Sequence, residues 1–329
     1  MKTASFWEYN FETEKIHCAL CPHFCKIGPD KAGICRVRIN YQGRLYAENY
    51  GKVGSIALDP IEKKPLYHYK PGTSILSLGT FGCNLRCSYC QNYTISQQKV
   101  LTRYFEPESI PELIKQFDNN IGIAFTYNEP FIWYEYVYDV AKITKENNPD
   151  TAVVLVTNGY VNPEPLEKLL PYLDALNIDL KSFREETYRK LCKSDLEPVL
   201  NTIITAAKAC HVEVTTLVIT DENDSMEEIR EIGQFLACIN PDIPLHLSRY
   251  YPNYLLTNPA TPKATLMKAK EIAEEYLNYV YLGNLPGVDT NTYCPKCGLL
   301  LVERINYQTN ALIKTPVCPK CEKEIAIIL

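Results

Sequence analysis

From residue 74 onwards, short apolar runs alternate with longer stretches in which apolar residues recur at helical spacing. The apolar runs predict strands at 74–79, 121–127, 151–157, 174–181, 212–220 and 244–250. The stretches between them predict helices at 107–119, 130–147, 163–172, 184–210 (one or two helices) and 225–239, and a last helix at 261–277 precedes a short strand at 279–282. Strands alternating with helices form a parallel sheet with right-handed crossovers. Six such units predict an α/β fold, a partial (β/α)6 barrel.

Polar residues follow four of these strands at the point where each strand ends. They are Thr126-Tyr127-Asn128-Glu129-Pro130, Thr157-Asn158-Gly159, Asp179-Leu180-Lys181 and Ser248-Arg249. The carboxyl ends of the strands carry the active site in barrels of this kind. Each segment alone also fits a strand-end cap or turn. Their shared edge favours a cofactor site, with His246 of the sixth strand as a candidate on the substrate side.

Composition narrows the class of protein. The chain has 329 residues, is 46% hydrophobic and carries a net charge of -5, so no basic surface indicates nucleic-acid binding. No apolar run reaches membrane-spanning length, and Met1 to Trp7 lacks the apolar core of a signal peptide. We therefore expect a cytoplasmic protein without membrane or nucleic-acid partners. Its 14 cysteines then indicate metal binding rather than disulfides.

The central cysteines, Cys83, Cys87 and Cys90, have the spacing C-x3-C-x2-C and directly follow the first predicted strand. Thiolates this close in a loop can all turn onto one iron–sulfur cluster. A [4Fe–4S] cluster has four irons, so three cysteines leave one iron open for chemistry. The alternative is a structural zinc site with a fourth ligand from elsewhere.

Two outer cysteine groups have the spacing of metal sites. Cys18, Cys21, Cys25 and Cys35 form an N-terminal group that predicts either zinc or a second iron–sulfur cluster, with His17 and His23 as possible substitute ligands. Cys294, Cys297, Cys318 and Cys321 form two C-P-x-C knuckles, for which we expect zinc, with rubredoxin-like iron as the alternative. The scattered Cys192, Cys210 and Cys238 fit core packing in or beside helices.

The segment from Asp59 to Tyr69 is polar, aromatic and too irregular for a helix. We expect a solvated connection whose lysines face water. The functional alternative is a lid or substrate contact near the cluster, with His68 as the residue to test.

The central stretch, with Tyr89 before its last cysteine, resembles the radical S-adenosylmethionine (SAM) enzymes. The resemblance implies the barrel fold, a [4Fe–4S] cluster on Cys83, Cys87 and Cys90, and SAM chelated to the open iron. It also implies a Gly-Gly-Glu-like motif that holds the SAM amino group; this chain keeps Glu129 and the proline but not the glycines. By the same resemblance, cofactor contacts are expected from Tyr89, Glu129, Thr157, Asn158, Asp179, Lys181, Ser248 and Arg249.

Nearly the whole chain resembles the radical SAM component of the AmmeMemoRadiSam system, a branch close to pyruvate formate-lyase activating enzymes. The matching segments are Cys18 to Arg38, Asp59 to His68, Gly79 to Ser96, Thr126 to Pro130, Asn223 to Ser225, Tyr281 to Asn284 and Asn291 to Pro295. The resemblance implies a 5′-deoxyadenosyl radical that abstracts hydrogen from an unidentified substrate. It also implies a flavodoxin- or ferredoxin-type electron donor and Memo-like and AMMECR-like partners.

Two alternatives to this function remain. One is an activase that installs a glycyl radical on a partner enzyme; the other is a non-enzymatic electron-transfer or scaffold protein. The expected domains are a cysteine-rich N-terminal module with its lead-in (1–70), the barrel (71–285) and a zinc-ribbon or rubredoxin-like module (286–329).

Overall fold

The computed structural model describes residues 1–305 and 308–329. The N-terminal segment consists of short antiparallel strands: β1 Lys2–Thr3, β2 Trp7–Asn10, β3 Lys15–Cys18, β4 Lys26–Ile27, β5 Arg38–Tyr41, β6 Arg44–Ala47 and β7 Lys52–Val53. Strands β1, β6 and β5 form one sheet, and β2, β3 and β4 form another. Strands β5 and β6 form a hairpin around Gln42 and Gly43. Both turn residues have positive φ (51° and 73°), as a two-residue type I′ hairpin turn requires.

An eight-stranded sheet forms the centre of the molecule, in the order β16-β15-β14-β13-β12-β11-β9-β8. Its strands are β8 Ser55–Pro60, β9 Ser74–Gly79, β11 Asn120–Phe125, β12 Ala152–Thr157, β13 Ala175–Asp179, β14 His211–Val218, β15 Leu245–Arg249 and β16 Val280–Gly283, while β10 Arg103–Tyr104 pairs with β7. Only β8, at one edge, runs antiparallel to its neighbour. All seven strands predicted from the sequence are present and mutually parallel, so the partial-barrel prediction is confirmed.

Helices cover the sheet between successive strands. They are α1 Tyr93–Gln97, α2 Ile110–Lys115, α3 Tyr134–Asn147, α4 Pro163–Leu169, α5 Glu185–Thr187, α6 Glu197–Ala206, α7 Met226–Ile239 and α8 Lys263–Ala273. Short 3-10 turns occupy Ile61–Lys63, Pro107–Ser109, Pro130–Trp133 and Leu170–Tyr172. The stretch predicted as one or two helices at 184–210 contains α5, a π-helical turn at Tyr188–Cys192 and α6. The first part ends at Lys193, whose backbone is left-handed (φ 59°).

The near-continuous apolar sequence of the inner strands explains their position. Strand β12 reads Ala-Val-Val-Leu-Val-Thr and is buried at all but one of its positions. Parallel strands covered by helices have this composition because both faces lie in the core. Helix α7 begins where the Ser225 side chain accepts a hydrogen bond from the Glu228 N–H, an N-cap that fixes the helix start after β14.

The segment from Asp59 to Tyr69 is not a solvated connection, and that prediction is wrong. Lys64 is buried and donates to Asp59 at 2.7 Å. His68 is fully buried and its backbone N–H donates to the Glu213 carboxylate at 2.7 Å. The segment packs between the sheet and the C-terminal residues, since Tyr69 pairs with Ile328 in an isolated parallel bridge.

The C-terminal residues form a three-stranded sheet of β17 Thr292–Tyr293, β18 Leu300–Ile305 and β19 Gln308–Ala311. We call this sheet, its connections and the residues that follow it to Leu329 the ribbon. Its apolar residues pack on the start of β16: Leu301, Val302 and Ile313 share a buried cluster with Tyr281 of that strand and with Tyr279 just before it. The barrel also includes β8, which precedes residue 71. The domain boundaries after 70 and 285 stay a prediction.

Candidate active site

A cavity of about 350 Å³ lies at the carboxyl ends of the parallel strands. Its lining includes the central cysteine loop, residues at or just after the ends of β11, β12, β13, β15 and β16, and one residue within β14: Cys83, Cys87, Tyr89, Cys90, Asn128, Glu129, Asn158, Asp179, Lys181, Thr215, Ser248 and Asn284. Parallel strands deliver these residues to one edge although they are far apart in sequence. We call this space the loop cavity.

The cysteine loop is held in place by backbone contacts on two sides. The Asn84 amide donates to the Tyr160 carbonyl at 2.7 Å. The Arg86 N–H donates to the Cys192 carbonyl at 2.9 Å, which ties the loop to the π-helical turn. Gly82 adopts φ +90°, and a Cβ there would lie 2.7 Å from the Cys35 carbonyl oxygen. A residue with a side chain would displace the loop, so the glycine is required.

Donors surround the three sulfurs. The Leu85 N–H lies 3.4 Å from Cys83 Sγ, and the Ser96 hydroxyl lies 3.2 Å from Cys90 Sγ. Within residues 1–305 and 308–329, only the ribbon cysteines bring three or more ligand atoms within 4.8 Å of one another. The central sulfurs are therefore spread more widely than ligands of a single zinc ion. Three thiolates in one loop, with donors beside two of them, fit a cluster in which each thiolate binds a different iron.

Cys192 is a member of this site that the sequence did not reveal. It is buried, and its thiol contacts both the Tyr89 hydroxyl (3.3 Å) and the Cys87 thiol. The sequence places it about a hundred residues from the loop, within a predicted helix, and offers no signal of the contact.

Glu129 is buried at the wall of the loop cavity. Its carboxylate accepts hydrogen bonds from the Phe131 N–H (2.9 Å), the Thr157 hydroxyl (2.8 Å) and the Asn158 N–H (2.8 Å). Burial raises the pKa of Glu129 to about 7, against the opposing effect of these donors. The donors fix the carboxylate in position, so that it can receive a cation from the cavity.

Asp179 and Lys181 form an ion pair of 2.6 Å at the end of β13. Burial, the largest single effect, lowers the pKa of Lys181, but the charges of Asp179 and Cys87 and the hydrogen bond to Asp179 together raise it. Both residues line the loop cavity, as do Tyr89, Asn158 and Ser248. Two other residues that were expected to contact the cofactor, Thr157 and Arg249, do not line the loop cavity. Thr157 supports Glu129 from behind, and the Arg249 guanidinium donates to the Thr261 carbonyl and the Tyr251 hydroxyl.

A second space of about 720 Å³ adjoins the loop cavity and lies between the barrel and the ribbon. The two spaces share the lining residues Lys63, Pro65, Gln91, Ser248 and Asn284. We call the second space the ribbon cleft. Its wall includes His246, Tyr67 and Arg304, the last from β18.

His246 is oriented by a carboxylate. Its Nε2 lies 2.6 Å from Glu213 Oε2, and Glu213 also lies 3.0 Å from the His211 ring. These two histidines hold the pKa of the buried Glu213 carboxyl well below its usual range, although burial opposes them. Arg304 is buried and donates to the Tyr67 and Thr290 carbonyls and the Thr292 hydroxyl.

His68, the other histidine expected on the substrate side, lies outside both spaces. Its ring contacts the Ala326 carbonyl at 2.7 Å and the Tyr281 hydroxyl at 2.6 Å. Burial lowers the pKa of His68 to about 4, so the ring is neutral at pH 7.

The ribbon cysteines have the spacing of a single-ion site. Cys294 Sγ lies 3.5 Å from Cys321 Sγ, and Cys297 Sγ lies 3.6 Å from Cys318 Sγ. A tetrahedral zinc ion with Zn–S bonds of about 2.3 Å separates its sulfurs by about 3.8 Å. The four thiols therefore fit one tetrahedral ion.

The two histidines considered as N-terminal ligands point elsewhere. His23 Nε2 lies 2.8 Å from the Asn84 carbonyl oxygen, so the ring contacts the central loop. His17 lies on β3 between the buried residues Ile16 and Cys18, and alternate residues of a strand face opposite sides.

Comparison with known proteins assigns the family. The radical SAM superfamily profile matches residues 77–236. The chain is 44% identical to MJ0808, an uncharacterized protein of Methanocaldococcus jannaschii, over 340 residues that cover 100% of both chains. It is 30% identical over 216 residues to MJ1632 of the same organism, named as a glycyl-radical enzyme activating enzyme, covering 62% of this chain and 79% of that one. The chain belongs to the radical SAM superfamily.

The fold agrees with this assignment. A solved radical SAM methyltransferase from Sphaerobacter thermophilus superposes with a TM-score of 0.51 at 16% identity, over 70% of this chain and 71% of that one. Superfamily membership implies a [4Fe–4S] cluster and SAM. None of the helices within residues 1–305 and 308–329 has both the length and the apolarity needed to cross a bilayer.

Proposed function

We propose that this protein is an enzyme that cleaves SAM reductively and uses the resulting radical on a substrate in the ribbon cleft. The observation that carries the proposal is the convergence of the cysteine loop and the polar strand ends on one cavity. In this proposal Cys83, Cys87 and Cys90 hold the cluster. When bound, the cluster and SAM supply a 5′-deoxyadenosyl radical that abstracts hydrogen from the substrate.

The protein residues orient SAM. Glu129 receives the SAM ammonium, a charge-assisted contact that its three fixed donors pre-organise. Asn158 and the Asp179–Lys181 pair line the same cavity and offer hydrogen bonds to the polar groups of SAM. Tyr89 closes the wall beside the cysteine loop. Arg249 and Thr157 act indirectly, through Tyr251 and Glu129.

The ribbon cleft is the proposed substrate site, because it opens into the loop cavity through five shared residues. His246 is its candidate proton-transfer group. Glu213 fixes the Nε2 side of the ring, so the tautomer and orientation of the imidazole are set. Arg304 places a guanidinium in the same wall, which favours a substrate with an anionic group.

Anaerobic reconstitution tests the proposal. Protein supplied with iron, sulfide, dithionite and SAM should release 5′-deoxyadenosine and methionine in equal amounts. The combined variant Cys83→Ala, Cys87→Ala and Cys90→Ala should release neither. The matched control is Cys238→Ala, which removes an exposed cysteine outside all three groups. Reductive cleavage by the triple variant would refute the assignment of the cluster ligands.

A second candidate is activation of a partner enzyme by installation of a glycyl radical. It is supported by the 30% identity to MJ1632. Minimal activases lack the outer cysteine modules, which favours the first proposal. A SAM-dependent glycyl-radical EPR signal on a copurifying protein would support the activase instead.

We also propose that the protein acts in the AmmeMemoRadiSam system, with Memo-like and AMMECR-like proteins as partners and a flavodoxin- or ferredoxin-type donor. The proposal is supported by the matching segments spread from Cys18 to Pro295. Copurification of tagged protein with either partner class tests it.

For the ribbon cysteines we propose zinc, supported by sulfur contacts of 3.5 and 3.6 Å.

A further inference from the structure

A buried chain of hydrogen bonds runs from the ribbon to the last strand of the barrel. The Arg304 guanidinium donates to the Thr292 hydroxyl at 2.8 Å, and that hydroxyl lies 2.8 Å from the Tyr281 hydroxyl. The Tyr281 hydroxyl in turn lies 2.6 Å from His68 Nε2. All four side chains are buried, so their polar groups are satisfied by one another. The proposed function uses neither Tyr281 nor His68.

The far end of the chain fixes the direction of its hydrogen bonds. The Ala326 carbonyl, 2.7 Å from His68 Nδ1, can only accept, so Nδ1 carries the proton of the ring. Burial lowers the pKa of His68 to about 4, so the ring is neutral at pH 7 and Nε2 keeps its lone pair. The Tyr281 hydroxyl therefore donates to Nε2, and Thr292 donates to the Tyr281 oxygen. The phenol thus points its proton at a base that is ready to accept it.

This arrangement suits the loss of one electron by Tyr281. Removing an electron from a phenol makes its hydroxyl a strong acid, so the proton leaves with the electron. Burial raises the pKa of Tyr281, so the proton stays on the hydroxyl until the ring is oxidised. Glu213, which accepts from the His68 backbone N–H at 2.7 Å, favours the imidazolium that this step would form. The charges of Arg304 and His211 act in the opposite direction.

Tyr67 connects this pair to the ribbon cleft. Its side chain lines the cleft, and its ring centroid lies 4.8 Å from that of Tyr281. The Arg304 guanidinium lies 4.3 Å from the centre of the Tyr67 ring and donates to the Tyr67 carbonyl at 2.7 Å, which holds the ring in place. The rate of electron transfer falls steeply with distance. Two rings in contact therefore give an electron a short path between the cleft and Tyr281.

We propose that Tyr281 and His68 form a redox-active pair that receives the unpaired electron of a carbon radical left in the ribbon cleft. The carbon radical takes a hydrogen atom from the Tyr67 hydroxyl. The Tyr67 phenoxyl radical then gains one electron from Tyr281 and one proton from the cleft, while the Tyr281 proton moves to His68 Nε2. The products are a new C–H bond, an intact Tyr67, and a Tyr281 phenoxyl radical beside an imidazolium. The unpaired electron then rests on a buried ring instead of on a carbon atom.

The supply of the carbon radical rests on the proposed function, whereas the redox chemistry of the pair does not. The experiment therefore oxidises the full-length protein in two ways. In one, light generates ruthenium(III) tris-bipyridine in the presence of persulfate; in the other, the reconstituted protein receives dithionite and SAM without a further substrate. Amber suppression places 3,5-difluorotyrosine at position 281 alone. The matched control carries it at Tyr136, which is equally buried and whose hydroxyl has no hydrogen-bond partner among the described residues.

We expect an EPR signal split by the two fluorines in protein labelled at Tyr281, and a signal about tenfold weaker or less in protein labelled at Tyr136, which lacks a base. His68→Gln keeps an acceptor for the Tyr281 hydroxyl but no base, and it should lower the yield of the split signal by about tenfold or more. Equal split signals from the two positions, or none from Tyr281, would overturn the proposal. This comparison decides the question even if His68→Gln fails to fold.

Release of 5′-deoxyadenosine is measured in the same samples, so that the pair and the proposed function are tested separately. Release with SAM but without the split signal would show that the pair does not receive the radical, and would also overturn the proposal. A split signal with the ruthenium oxidant, but no 5′-deoxyadenosine with SAM, would sustain the redox pair and count against the proposed function.

Discussion

The Nε2 atom of His68 lies 2.6 Å from the Tyr281 hydroxyl, and this contact joins the segment before β9 to the last strand of the barrel. The same ring holds the Ala326 carbonyl through Nδ1. A buried neutral histidine therefore stands where the lead-in segment, the barrel and the ribbon meet. Acid should weaken this junction.

We predict that His68 contributes a stability that rises with pH between about 4 and 6.5, whereas Glu129, whose pKa is raised to about 7, contributes the opposite slope over about the same range. Burial holds the pKa of His68 at about 4, below the ordinary 6.5 of the unfolded chain. In this window His68 binds more protons in the unfolded state, so its contribution to the free energy of unfolding falls on acidification, by at most about 1.4 kcal/mol per pH unit for one group. Urea unfolding at several pH values measures the slope.

The variant His68→Gln should lower the slope of the free energy of unfolding against pH, relative to the wild type, between pH 5 and 6.5, while His17→Gln, a change on the N-terminal strand β3, should leave that slope unchanged. Glu213 does not contribute to the slope in this pH range, because its depressed pKa lowers the free energy of unfolding only below about pH 4.5. An unaltered slope in His68→Gln would assign the acid sensitivity to another group.

Glu129→Gln should weaken SAM binding by about tenfold or more. The loss corresponds to a charge-assisted hydrogen bond of roughly 1.5–3 kcal/mol. In addition, the NH2 group of the glutamine amide would face one of the two backbone N–H groups that donate to the Glu129 carboxylate in the wild type, so two donors would face each other. Isothermal titration with the reconstituted protein gives the affinity, and iron content shows whether the cluster persists.

The control for this change is Glu228→Gln, another buried acid, which accepts from Ser182 and the Phe183 N–H outside the loop cavity. It should leave SAM affinity within twofold of the wild type. Equal SAM affinities of Glu129→Gln and the wild type would show that a residue other than Glu129 contacts the SAM ammonium group.

Cys192→Ala should lower the reduction potential of the central cluster. Its sulfur contacts that of Cys87, and once Cys87 is an iron-bound thiolate only the Cys192 S–H can donate between the two; such a hydrogen bond stabilises the reduced, more negative state. A net hydrogen-bond contribution of about 0.5–1.5 kcal/mol corresponds to roughly 20–60 mV for one electron. An EPR-monitored redox titration measures the shift. Cys210→Ala, whose thiol faces the Ala206 carbonyl, is the control and should cause no shift.

Cys294→Ser should release the ribbon metal and unfold the ribbon, because metal binding energy is folding energy in such modules. Calorimetry should show a lower melting temperature, and elemental analysis the loss of one zinc per chain. Cys238→Ala should change neither quantity. Loss of one iron instead of zinc would make the ribbon a rubredoxin-like site.

The strands were predictable because their apolar runs are local properties of the chain. The gathering of Asn158, Asp179 and Ser248 at one edge followed from the rule for parallel strands. The burial of Lys64 and His68 could not be predicted in this way. The hydrogen-bond partners of His68 include the Glu213 carboxylate and the Ala326 carbonyl, which lie 145 and 258 residues further along the chain.

The positions of individual side chains within the site also could not be predicted from the sequence. Thr157 and Asn158 are neighbours, yet only Asn158 lines the loop cavity. Cys192 looked like a core cysteine because nothing in a helical pattern reports a contact with a distant loop.

The bridge between Tyr69 and Ile328 has a consequence for synthesis of the chain. During translation, the barrel strands emerge while the segment before β9 still lacks the residues that bury it. The ribbon cleft gains its Arg304 wall only after β18 has left the ribosome, long after the strands of the barrel. Until then the ribbon cleft, which shares five lining residues with the loop cavity, lacks one of its walls.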